Sequence, residues 1–126
     1  MDFFRPNIEK SITLPSPPLR DEDEISRMKD IIRNRTAEDV QSIRDHDEVP
    51  FYALKKYCEE NGLIFHENEF NELIEQSAPI IMHFKNMFNR KRPNEIDNKI
   101  NTLPSKTNKT PSYPSGHSTQ ARLVAR

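Results

Sequence analysis

The chain has one cysteine, two glycines and no tryptophan in 126 residues. A lone Cys58 excludes any disulfide within the chain, and its place on the apolar side of a predicted helix marks it as a buried structural thiol. No stretch approaches the roughly 20 apolar residues that a membrane-spanning helix needs. The opening MDFFRPNIEK lacks the apolar core of a secretory signal. These absences lead to the expectation of a soluble, cytoplasmic chain. Charge of one sign is missing as well. Lysine and arginine total 19 against 20 acidic residues, for a net charge of -1, so nothing demands a nucleic-acid or anionic-membrane partner. Strand alternation, internal repeats and low-complexity tracts are absent too.

What the sequence does hold is helical spacing. Residues 1–20 contain Pro6, Pro15, Pro17 and Pro18 and read as an extended arm, with Leu14 and Leu19 laid on the domain surface. Residues 21–126 read as one helical domain. Asp21–Glu24 suits a helix start, because acidic groups complement the N-terminal end of the helix dipole. Ile25, Met28, Ile31 and Ile32 then repeat at helical spacing to about Arg35. Thr36 is placed to cap a weaker helix over 37–45. Phe51, Leu54, Tyr57 and Cys58 form one face of a helix over 51–61, stopped by Asn61-Gly62. The longest stripe is Phe70, Leu73, Ile74, Ser77, Ala78, Ile81 and Phe88, over 67–91. Pro79 interrupts it, either as a kink or, the reading preferred here, because Ser77 caps a new helix with proline in its first turn. Residues 94–112 are polar and irregular, and a final helix covers 117–126. With 33% hydrophobic and 31% charged residues, this all-α chain needs more chain or a partner to complete its core.

Lys85 projects from the apolar stripe, four residues after Ile81. A lysine so placed commonly runs past the core or pairs with a carboxylate. Arg92 follows at seven residues, which on a continuing helix would align the two cations on one face, about 10 Å apart along the axis. Pro93 would then end that helix at Arg92. An inward cation needs an anionic partner. A second element, Pro114-Ser115-Gly116-His117, opens the last helix. Helix N-termini bind anions through N–H groups that have no internal partner. Ser115 adds a hydroxyl donor, Gly116 permits close approach, and His117 can hold or transfer a proton near neutral pH.

Lys85 and Arg92-Pro93 have the spacing K-x6-R-P, and P-S-G-H follows after the 20 residues of 94–113. Four specified residues recur by chance at on the order of one in 10^5 positions, and the first block reduces coincidence further. The pattern resembles the superfamily of type 2 phosphatidic acid phosphatases, bacterial non-specific acid phosphatases and vanadium haloperoxidases. Leu14-Pro15-Ser16-Pro17-Pro18, Arg35-Thr36 and Ser112-Tyr113 look similar to the soluble acid phosphatases. The resemblance implies an all-α bundle of that type. It implies that Lys85, Arg92, Ser115 and the Gly116 N–H bind phosphate oxygens, and that His117 protonates the leaving alcohol. The substrate would be a phosphorylated small molecule or lipid. No metal or other cofactor is implied for a phosphatase, and vanadate would be the cofactor of a haloperoxidase.

The family's third block, S-R-x5-H, supplies a further arginine and the histidine nucleophile. It does not follow His117 in these residues. The resemblance therefore implies the N-terminal portion of a phosphomonoesterase whose phosphohistidine lies beyond Arg126. The alternatives are a vanadium-dependent haloperoxidase on the same scaffold, or a non-catalytic module that binds phosphate or a protein.

Overall fold

A computed structural model describes residues 1–19 and 22–126. Arg20 and Asp21, at the expected junction of arm and first helix, lie outside the described residues. The described chain is all-α, with no strand. In order it forms a short 3-10 turn at Ile8–Ser11, then α1 (Glu22–Asn34), α2 (Ala37–Asp47), α3 (Tyr52–Glu60), α4 (Glu67–Phe88), α5 (Pro93–Ile96) and α6 (Gly116–Val124). Among the described residues no helix is long and apolar enough to cross a membrane.

Local chemistry accounts for most boundaries. Glu22, Asp23 and Glu24 occupy the first turn of α1. Thr36 and Asp39 form a reciprocal capping box at α2: Asp39 N donates to Thr36 Oγ1 (3.1 Å) and Thr36 N donates to Asp39 Oδ2 (2.8 Å). Gly62 takes a φ of 65° just past α3, a left-handed conformation that glycine adopts without strain.

Helix α4 differs from expectation at two places. It runs unbroken through Pro79, and Ser77 is not a cap. The Ser77 hydroxyl instead donates to Ile74 O (2.9 Å), and the Gln120 amide of α6 donates to the same carbonyl and to Ser77 Oγ (3.2 Å each). Side-chain donors thus serve the turn just before the proline, where α4 packs against α6. The C-terminal end comes early. Asn89, at φ 46°, caps the helix after Phe88, with its N–H donating to Lys85 O. Asparagine tolerates this left-handed position better than most residues. Arg92 therefore does not lie on α4. It is the N-cap residue of α5, an element the sequence reading left inside an irregular segment, and Pro93 begins that helix.

The core is small. Phe51, Cys58, Ile81, Phe84, Ile100 and Val124 are buried, with Ser77 and Lys85 as buried polar groups. Phe84 and Ile100 were not in the expected apolar sets. Tyr57 and Ile31 were, yet they are 57% and 70% exposed, and α1 buries no residue at all. Its Ile25, Met28 and Ile32 are half-buried, and Lys29 Nζ lies 2.6 Å from the Asp97 carboxylate. Of the two leucines expected on the domain surface, Leu14 is half-buried and Leu19 is 96% exposed. The arm is also anchored by hydrogen bonds, Phe3 N donating to Gln76 Oε1 (2.8 Å) and Tyr113 Oη to Pro15 O (2.8 Å).

Gln120 ties α6 to α4 by two hydrogen bonds, so Gln120→Ala should destabilise the chain by about 1–3 kcal/mol, the cost of losing both and leaving the buried Ser77 Oγ without a donor. Gln120→Met, which keeps most of the volume, should lose a similar amount. Urea unfolding measures both, and an unchanged midpoint for Gln120→Met would assign the effect to packing alone.

Candidate functional site

The end of α4, the start of α5 and the start of α6 meet because the chain returns across the C-terminus of α4. Ser112 N donates to Arg90 O (2.8 Å), and the Ser112 hydroxyl lies within reach of Arg90 O and Lys91 O. Tyr113 packs edge-on against Phe88, with ring centroids 5.2 Å apart. This return brings all five sequence-derived candidates to one cavity of about 470 Å³. Lys85, Arg92, Ser115, Gly116 and His117 line it, together with Asp47 and Thr107.

Lys85 is 4% exposed, as its place on the apolar stripe predicts. Its ammonium donates to Pro111 O (2.5 Å). Arg92 is half-buried and donates from Nε to Thr110 O (2.7 Å) and from Nη2 to Thr107 O (3.2 Å). Among the described residues neither cation has an ion-pair partner. Burial pushes the Lys85 ammonium below its ordinary range, and the nearby Arg92 charge acts in the same direction. The three carbonyls orient the cations without neutralising them. An ammonium has three donors and a guanidinium five, so hydrogens remain on both for another acceptor.

Ser115 caps α6, its Oγ accepting from Ser118 N (3.2 Å), which leaves the hydroxyl hydrogen free to donate elsewhere. Gly116 has no left-handed φ, and a Cβ added there would meet no atom within 4 Å. Neither backbone strain nor packing requires glycine, so a side chain at 116 would simply take up cavity space. His117 places Nε2 2.5 Å from the carbonyl oxygen of Asp47.

Asp47 was missed by the sequence reading. It ends α2, and its carboxylate accepts from Ser105 Oγ (2.6 Å) and Thr107 Oγ1 (2.9 Å). An aspartate in a weakly amphipathic helix carries no local signal of such a role. His46, His66 and His83 do not line the cavity. No cluster of three His, Cys, Asp or Glu suited to a metal ion occurs among the described residues.

No protein-family model, curated protein or solved structure matches this chain.

Because burial lowers the Lys85 pKa, the unfolded chain binds that proton more tightly between the lowered value and the ordinary 10.5. Stability contributed by this residue therefore rises with pH across that window. Lys85→Met should flatten the rise relative to the parent chain. Thermal melts of both proteins from pH 7 upward test this, and parallel curves would show that Lys85 is not desolvated in solution.

Proposed function

We propose that this chain binds the phosphate group of a phosphoric monoester and belongs to an acid-phosphatase-like hydrolase of the superfamily its motifs resemble. One observation carries the reading. Two cations without a carboxylate partner, a helix N-terminus and a histidine share one cavity, although they come from three segments of chain. A tetrahedral oxyanion fits that set. Lys85 and Arg92 neutralise charge on the non-bridging oxygens, Ser115 Oγ and the Gly116 N–H donate to them, and His117 supplies the proton to the leaving oxygen.

The covalent step needs a nucleophile in line with that leaving group. The other histidines stand elsewhere. His46 Nδ1 bonds Ser42 O and its ring packs on Tyr52, and His83 packs on Phe84. We assign the nucleophile to a histidine outside these residues, as the family pattern requires. Vanadate would meet the same donors, but no feature of this cavity favours halide oxidation over ester hydrolysis.

Arg92→Ala should weaken binding of inorganic phosphate by about 1.5–3 kcal/mol, on the order of ten- to a hundredfold. Gly116→Ala should weaken it too while leaving thermal stability unchanged or slightly raised, since alanine is the better helix former. Isothermal titration with phosphate or vanadate measures both. An affinity unaffected by either substitution would sink the assignment.

Hydrolysis of an aryl phosphate gives a second test. The purified 126-residue chain should bind but not turn over, because positioned donors alone leave only residual catalysis. Robust turnover that vanishes in His117→Ala would mean that a nucleophile is already in place.

A further inference from the structure

Asp47 is engaged on two sides of the cavity at once. Its carboxylate holds Ser105 and Thr107, and Thr107 N donates in turn to Ser105 Oγ (3.0 Å), which makes a tight polar turn. The carbonyl of Thr107 accepts from Arg92 Nη2. The backbone carbonyl of Asp47 itself faces His117 Nε2 at 2.5 Å. A carbonyl only accepts, so the hydrogen of that bond sits on Nε2. Nδ1 has no hydrogen bond to any described residue.

We infer that Asp47 is a positioning residue, whose carbonyl fixes His117 as the Nε2–H tautomer and whose carboxylate fixes the Thr107 turn that orients Arg92. The geometry stands on these hydrogen bonds alone, and its catalytic consequence rests on the phosphate-site reading. The mobile proton of His117 is then the one on Nδ1. In the imidazolium form, Nδ1–H gives its proton to the ester oxygen as the P–O bond breaks and a P–N bond forms to the histidine nucleophile assigned above. The bonding pair stays with that oxygen, Nε2–H is retained and the ring ends neutral.

The chemistry at 47 is specific. Two hydroxyls donate to one carboxylate, and an aspartate accepts both. An asparagine keeps one acceptor and places a donor at the other position, so one of the two contacts must reverse or break. An alanine keeps the backbone carbonyl and loses both hydroxyl contacts. The two halves of the inference can therefore be separated by substitution at a single residue.

The experiment uses the whole chain labelled with 15N-histidine. Long-range 1H–15N correlation reads the tautomer, and His117→Ala identifies the resonances. Neutral His117 should show a protonated Nε2 and a bare Nδ1. A dominant Nδ1–H form, or an average of the two, would overturn the first half. Calorimetric titration with inorganic phosphate should show affinity falling about tenfold in Asp47→Ala and by less in Asp47→Asn, while the His117 tautomer stays Nε2–H in both. A merely structural loss would disturb tautomer and affinity together, and an unchanged affinity in Asp47→Ala would overturn the second half. Should Asp47→Ala fail to fold, Ser105→Ala combined with Thr107→Val removes the same contacts. If the parent chain binds no phosphate, the proposed function and the second half of this inference fail together, while the tautomer measurement still decides the first half.

Discussion

The burial of Lys85 constrains everything near it. An ammonium taken out of water must be hydrogen-bonded, and a carboxylate would be the common answer. Here the partner is the carbonyl of Pro111, with Arg92 held in the same way by the carbonyls of Thr107 and Thr110. Carbonyl dipoles offset part of the desolvation cost but leave the formal charges standing. The two cations then repel each other, and that repulsion adds to the lowering of the Lys85 pKa. A site built this way keeps its positive charge, and the phosphate-binding proposal rests on that charge.

That constraint explains the long polar segment between α5 and α6. Three carbonyls must be delivered to the cavity from a stretch that forms neither helix nor strand, so their geometry has to be set by side chains. Asp47, Ser105 and Thr107 do this from one side. On the other, Ser112 bonds back to Arg90 and Tyr113 reaches Pro15 on the arm. The peptide that carries the Thr110 carbonyl ends on the Pro111 nitrogen and so brings no N–H, while the peptide of the Pro111 carbonyl carries the Ser112 N–H, which Arg90 O accepts. The N-terminal arm thus takes part in shaping the site through its anchor on Tyr113, although it lies 98 residues away in sequence.

Much of this was legible in the residues. Acidic helix starts, the Thr36 cap and the Asn61-Gly62 stop are local chemistry, and they gave helix ends within a few residues. The inward direction of Lys85 followed from its phase on the apolar stripe. What could not be read depends on contacts between distant segments. Pro79 reads as a break because it removes a helix hydrogen bond, whereas α4 runs through it while packed against α6, which begins 37 residues further on. Tyr57 and Ile31 sit at apolar phases, but no element packs over them. Ile100 is buried within a segment too polar to suggest a core residue. Asp47 carries its meaning only through partners about 60 residues away.

The spacing K-x6-R-P deserves a different physical account from the one helical periodicity offers. Seven residues on a continuous helix would fix the two cations at a rigid separation of about 10 Å along the axis, with both side chains pointing the same way. The chain instead ends α4 at Asn89 and turns over residues 89–91. It begins α5 with Pro93, and Glu95 Oε1 accepts from the Arg92 backbone N–H (3.0 Å). Arg92 is thereby taken off the helix surface, and its guanidinium reaches the loop that also holds Lys85. On this account the six intervening residues comprise the last three of a helix and a three-residue turn. The proline serves as the first residue of the next helix, where its missing N–H costs nothing. The pair converges because the helix stops between its members.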